Sequence, residues 1–190
     1  MCRLLTMLTL FLSFAVFFSC KKSNSSINGG GSVRGNWNFV YLKAQTNATV
    51  SSNGSSNVTK SEYTSMNGSG TIDFTADSVI VTNLSYTISG MEWFYVYVGN
   101  TLLDSVSTPL SGPIPAYDEA ATYQQIGNDS LYFPAGSFST TGIAGTTQVN
   151  GARYVFKNDT LEITEQLTVT QSGVNTTVSS ASETIYLLKQ

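Results

Sequence analysis

Histidine is missing altogether from these 190 residues, and cysteine occurs only twice, at Cys2 and Cys20. Without histidine there is no Ser-His-Asp or Cys-His catalysis and no imidazole-ligated zinc. The side chain best suited to proton transfer near neutral pH is also lost. With both cysteines in the first twenty residues, the rest of the chain has no disulfide framework, thiol nucleophile or thiolate metal site. Charge is scarce as well: nine Lys and Arg stand against twelve Asp and Glu, for a net charge of −3. No basic patch exists to neutralise phosphates, which excludes nucleic acid as a partner and electrostatic attachment to anionic lipid. Of four prolines, Pro109, Pro113 and Pro115 fall close together. Ser, Thr, Asn and Gly fill the remaining space. Thr favours strands, and Ser, Asn and Gly favour turns, so the composition points to an all-β protein.

One apolar run stands out. Arg3 precedes a stretch from Leu4 to Phe18 that only Thr6, Thr9 and Ser13 interrupt. That is the length of a signal-peptide core and too short to span a bilayer comfortably. It ends at Phe17-Phe18-Ser19-Cys20-Lys21-Lys22. This junction resembles a bacterial lipoprotein signal, with Phe17 where such signals usually carry an aliphatic residue. The resemblance implies cleavage after residue 19, acylation of Cys20 by fatty acid such as palmitate, and anchoring to a membrane through the lipid. No Asp follows Cys20, which favours the outer membrane. No acidic residues follow it either, which favours the periplasmic face over the cell surface. Removing Arg3 leaves eight basic residues against twelve acidic ones, a formal charge of −4.

Residues 20–32 read as a lipidated flexible tether, Ser23-Asn24-Ser25-Ser26-Ile27-Asn28-Gly29-Gly30-Gly31-Ser32 being its core. About ten Gly/Ser-type residues reach roughly 15–20 Å. Residues 33–190 then form one domain. Trp37, Phe39 and Tyr41 alternate against Asn38, Val40 and Leu42, which is strand periodicity. Gln45 to Gly70 reads as a long loop or a hairpin with a mobile tip. Beyond it the chain reads as a β-meander. Ile72 and Phe74 begin it, Val81, Leu84, Tyr86 and Ile88 continue it, and Trp93 to Val98 is apolar on both faces. That last segment is expected to be buried on both sides or to line a cavity. Ser107 to Ala116 holds the prolines and reads as a loop. Tyr117 to Gln125 is open between a short helix and a strand. Leu131 to Phe133 is a short strand, and Ser137 to Gly151 is loop-like. Ala152 to Lys157, Leu161 to Thr170 and Thr176 to Leu188 are strands, the last in one or two pieces.

A small motif recurs as Asp77-Ser78-Val79, Asp104-Ser105-Val106, Asp129-Ser130-Leu131 and Asp159-Thr160-Leu161. Its plain reading is a turn capped by Asp, followed by a strand. The same triplets also resemble an O-glycosylation acceptor on exported bacterial proteins. At Gly35-Asn36-Trp37 the chain resembles the lipocalin, or calycin, group, in which Gly-x-Trp opens the first strand. The resemblance implies an up-and-down antiparallel β-barrel of about eight strands whose bottom Trp37 closes, with Lys189 packed across it. A β-sandwich is the alternative. No helix before the last strand and no disulfide accompany the motif. A meander must cover its edges, and closure does so.

Ligand contacts in such a barrel are expected from Trp93, Phe94, Tyr95 and Tyr97, with Tyr117 and Tyr123 behind the proline segment, because aromatics with polar tips suit a mixed cavity. Among carboxylates, Glu162 and Glu165 make the best pair and Asp118-Glu119 the second, but residues three apart on a strand face opposite ways. Asp118-Glu119 has no acid partner. Glycosidase chemistry needs two facing carboxylates. The chain is therefore read as a non-enzyme with no catalytic residues, metal or cofactor. The expected function is a membrane-anchored lipoprotein that binds a small lipophilic or amphipathic molecule. The alternatives are a sandwich that binds a glycan or a protein in the cell envelope, and a purely structural role. Oligomeric state is not legible.

Overall fold

The structure, a computed structural model, describes residues 31–134, 150–171 and 176–190. The Cys20 junction, most of the tether and residues 137–149 of the loop-like Ser137 to Gly151 lie outside that range, while Asn150 and Gly151 are strand and correct the end of that reading. Nine antiparallel strands form a single sheet among the described residues. They are β1 (Gly35–Ser52), β2 (Ser55–Phe74), β3 (Ser78–Val98), β4 (Thr101–Thr122), β5 (Gln124–Ile126), β6 (Ser130–Phe133), β7 (Asn150–Lys157), β8 (Thr160–Gln171) and β9 (Thr176–Lys189). Their order is β4-β3-β2-β1-β9-β8-β7-β6-β5. The ladder is open, since no pairing joins β4 to β5. Yet these opposite edge strands are consecutive in the chain, with only Tyr123 between them. The edges therefore meet at that residue, and the sheet curls to allow it. Tyr123 fixes the corner: its N–H donates to the Asp77 carbonyl at 2.8 Å, its hydroxyl to the Thr75 carbonyl at 2.8 Å, and its ring stands edge-on to Phe74.

The four longest strands, β1 to β4, run well past the core. At about 3.4 Å per residue the eighteen of β1 extend about 60 Å. The buried apolar residues belong to one half of that length: Val33, Trp37, Phe39, Leu42 and Ala44 from the start, Ile72 to Tyr86 across the β2–β3 turn, then Leu131, Phe133, Tyr154, Leu161, Ile163, Ile185 and Leu187. At this pole lie Gly31, the C-terminal Lys189 and the turns at Asp77, Asp129 and Asp159. Each of those Asp carbonyls accepts a backbone N–H from another segment. Ser78 and Ser130 also donate their hydroxyls to the adjacent Asp at 2.9 Å. Three of the four Asp-Ser/Thr motifs are thus strand-opening turns. The fourth, Asp104-Ser105, lies within β4 beside a register shift. The opposite pole carries the tips Asn53-Gly54 and Gly99-Asn100.

Where the sequence left alternatives open, the structure chooses between them. Gln45 to Gly70 is the hairpin and not the loop: it is the paired body of β1 and β2, turned at Asn53-Gly54, where both residues have positive φ (49° and 79°). That is the geometry an Asn-Gly hairpin turn selects. Its polar side chains left both readings open because these strands have little to bury. Ser107 to Ala116, expected as a loop, is corrected to strand. Pro109 and Pro113 sit four apart on edge strand β4, so both turn their missing N–H to the same side, away from β3. Tyr117 to Thr122 completes β4, and Thr176 to Lys189 is one unbroken strand. In β1, a bulge at Val40 sets Tyr41 opposite Tyr186 and shifts the alternation by one. Leu42 consequently turns inward and is fully buried, while Tyr41 leaves the Trp37–Phe39 face. The Leu42 N–H loses its ladder partner there and donates instead to the buried Ser65 hydroxyl at 2.8 Å.

Candidate functional site

Direct antiparallel partners share a face, so the register maps the outer surface of the long half. One row runs Thr168, Ser180, Asn47, Lys60, Trp93, Ser107 across β8, β9, β1, β2, β3 and β4. The row beside it runs Gln166, Ser182, Gln45, Glu62, Met91, Pro109. Down β3, Met91, Trp93, Tyr95 and Tyr97 form a column on this face, each half-buried by its neighbours. Tyr95 and Tyr97 ring centres are 6.5 Å apart, and Lys60 Nζ stands 5.6 Å from the Tyr95 ring. Nearer the core the same face carries Tyr41 stacked on Tyr186 at 4.2 Å, with Lys43 Nζ 5.8 Å and 6.0 Å from the two rings.

Between these aromatic groups the face is indented. A shallow depression of about 400 Å³ is lined by Lys43, Gln45, Glu62, Thr64, Ser89, Met91 and Trp93 among others. A second, of about 340 Å³, is lined by Gln45, Asn47, Lys60, Glu62, Gln166 and Thr168 among others. Both are open, so they offer amides, hydroxyls, a cation and a carboxylate beside flat aromatic rings, and they enclose nothing. This arrangement can stack and hydrogen-bond an extended polar ligand.

Trp93 to Val98 is not buried on both sides: Phe94 (36% exposed), Val96 and Val98 on the inner side are exposed, while Trp93 lines one of the open depressions. The six aromatics named as ligand contacts do not converge. Trp93, Tyr95 and Tyr97 share the outer face and Phe94 the inner one. Tyr117 packs half-buried against the core, and Tyr123 is a core residue at the sheet corner. Gly35, Trp37 and Lys189 do come together at the core pole. Gly35 has φ +126°, Trp37 Nε1 donates to the Val33 carbonyl at 2.8 Å, and Lys189 Nζ lies 6.0 Å from the Trp37 ring.

Inside the curl is a group that sequence spacing did not reveal. Glu165 and Glu183 are direct partners on β8 and β9 and are only 5% and 3% exposed. Glu162 faces outward, 2.9 Å from Lys157, as strand alternation requires. Burial pushes the Glu165 carboxyl up to about 9, helped by Glu183 and then by Glu119 of β4. Burial likewise raises Tyr63 and Tyr117 above the ordinary tyrosine range, with Tyr86 and Glu183 adding to both and Glu119 to Tyr117. Lys60, Glu62, Gln45 and Glu183 were all missed as site residues. Their only signal is cross-strand register, which is invisible before the strands pair. Three or more acidic, histidine or cysteine side chains arranged to hold a metal do not occur among the described residues. Comparison of the chain with family models, curated proteins and solved structures returned no match.

Proposed function

We propose that this chain is a lipid-anchored module of the bacterial envelope that binds an extended glycan across the outer face of its long strands. The observation that supports this most is the half-buried column Trp93, Tyr95 and Tyr97, flanked by Lys60, Glu62, Gln45 and Asn47 over two open depressions. Sugar rings present apolar C–H faces to aromatic rings and hydroxyls to amides and carboxylates, and an uncovered polar-aromatic face suits them better than a buried lipid. Lipid anchoring rests on the Cys20 junction. The absence of acidic residues just after Cys20 supports the outer membrane's periplasmic side. The curled sheet is read as barrel-like in preference to a sandwich, because β4 and β5 meet at Tyr123 and Glu119 of β4 acts on Glu165 of β8.

The test is binding of the full chain in neutral detergent to envelope polysaccharides immobilised on a surface. Trp93→Ala with Tyr95→Ala should weaken retention at least tenfold, and Phe94→Ala, on the other face, should not. Equal retention of both variants would overturn the reading. For the anchor, Cys20→Ser should abolish incorporation of labelled fatty acid. A second reading, a small amphipathic ligand held inside the curl, is favoured by one observation. Tyr63, Ile88, Ile114 and Tyr117 stand half-buried over the core, beside two buried carboxyl groups.

A further inference from the structure

Of the four Asp-Ser/Thr-aliphatic triplets, the fold accounts for three residue by residue. At the core pole the Asp77, Asp129 and Asp159 carbonyls each accept a backbone N–H from another segment. The Asp77 and Asp129 carboxylates also accept the Ser78 and Ser130 hydroxyls at 2.9 Å. Ser78, Ser130 and Thr160 are half-buried, and the aliphatic residues that follow them, Val79, Leu131 and Leu161, are core. Asp104-Ser105-Val106 does none of this. It lies inside edge strand β4, where every residue from Thr101 to Pro109 is exposed. Val106 is 56% exposed and has no core to face. The Asp104 carboxylate accepts the Ser105 backbone N–H at 2.8 Å in place of the hydroxyl, which is left to solvent. Ser105 stands four residues before Pro109 with unbroken pairing between them, so its N–H points to the same free side of β4. The hydroxyl thus sits on an extended segment open along one edge, the form in which a cleft takes a peptide as an added strand.

We infer that Ser105 is a site of O-glycosylation, where a glycosyltransferase joins a sugar to the side-chain hydroxyl. The donor is a glycosyl diphosphate. Ser105 Oγ attacks the anomeric carbon, and the new Oγ–C bond forms as the bond from that carbon to the diphosphate oxygen breaks. The diphosphate leaves with the electron pair, and the hydroxyl proton passes to a base of the transferase. The triplet's likeness to an acceptor has no competing turn role here, whereas the turns at the core pole keep Ser78, Ser130 and Thr160 half-buried. The sugar stands on the free edge of β4 beside the exposed Leu102 and Leu103. Pro109 and Pro113 close the same edge to strand pairing further along. Ser105 carries its sugar whether or not Trp93, Tyr95 and Tyr97 bind a glycan.

The test is mass spectrometry of the full chain, purified in neutral detergent from the bacterium that makes it, intact and after proteolysis. The peptide that carries Ser105 is expected to be heavier than its sequence by one or more sugar residues, with fragmentation placing them on Ser105. The peptides that carry Ser78, Ser130 and Thr160 are expected to be unmodified. Ser105→Ala, at an exposed position, should remove the added mass, and Ser105→Thr should keep it. Asp104→Ala should cut the modified fraction severalfold. The acyl group on Cys20 is read in the same intact mass, so loss of the anchor and loss of the sugar are told apart. An unmodified Ser105 peptide, or sugar on Ser78, Ser130 or Thr160 in its place, would overturn the assignment.

Discussion

Glu165→Gln is expected to change how stability depends on pH more than any other single substitution. The carboxyl titrates near 4.5 in the unfolded chain and about 9 in the folded one, because burial and then Glu183 disfavour its charge. A raised carboxyl pKa means the folded state holds the proton more tightly. Its contribution is therefore fully present below about pH 4.5 and is lost as pH climbs toward about 9. Each unit in that window is worth about 1.4 kcal/mol, so wild type should lose about 4 kcal/mol between pH 5 and pH 8. That is a large part of the roughly 5–15 kcal/mol typical of a whole domain. The loss belongs to the Glu165–Glu183 pair jointly. Gln is isosteric and cannot ionise. The variant's profile should therefore slope much less across this window. Urea denaturation in amine-free buffer is the assay. With an m-value of about 2 kcal/mol/M, the variant's midpoint at pH 8 should exceed wild type by about 2 M and match it at pH 4.5. Parallel pH profiles for the two proteins would refute the raised Glu165 carboxyl.

Ser65→Ala leaves the Leu42 N–H buried beside the β1 bulge, and should cost about 1–3 kcal/mol by the same denaturation measurement. Ser65→Thr keeps the hydroxyl and should recover part of it. Gly90→Ala should lower thermal stability sharply, because a Cβ there would collide with the Glu62 carbonyl and with Tyr63, which lies over it. Lys189→Met should cost about 0.5–1 kcal/mol through the lost contact with the Trp37 ring, with a loss that shrinks in high salt. Trp37→Phe should cost more, since it also leaves the buried Val33 carbonyl without the indole N–H.

Alternation of apolar and polar residues found the strands that have a core to face. Ile72 and Phe74, Val81 and Leu84, Leu161 and Ile163, and Ile185 and Leu187 all point inward. It left the answer open where a strand has little to bury. Gln45 to Ser65 read equally as loop or hairpin, and it pairs as strand because neighbouring backbones satisfy its hydrogen bonds, which no side-chain pattern reports. It failed at Val40, where one extra residue reverses the facing of Tyr41 and Leu42. Pro109 and Pro113 read as loop because sequence does not say which strand lies at an edge. Of the outer site, Trp93, Tyr95 and Tyr97 were legible as aromatics of one strand face. Lys60, Glu62, Gln45 and Asn47 were not, because they belong to that face only through register.

Local chemistry, then, was enough for an all-β chain: Thr-rich strands, Asn-Gly and Asp-Ser turns, and no histidine or later cysteine to support other chemistries. Those properties depend on each residue's own backbone preference and side-chain groups, so no fold is needed to read them. Facing, curl and charge environment came only from the tertiary structure. Which side of a strand is inside, that β4 and β5 meet at Tyr123, and that Glu165 looks at Glu183 across a ladder all depend on residues distant in sequence. Desolvation then turned an ordinary glutamate into one that keeps its proton, a property of the place and not of the residue.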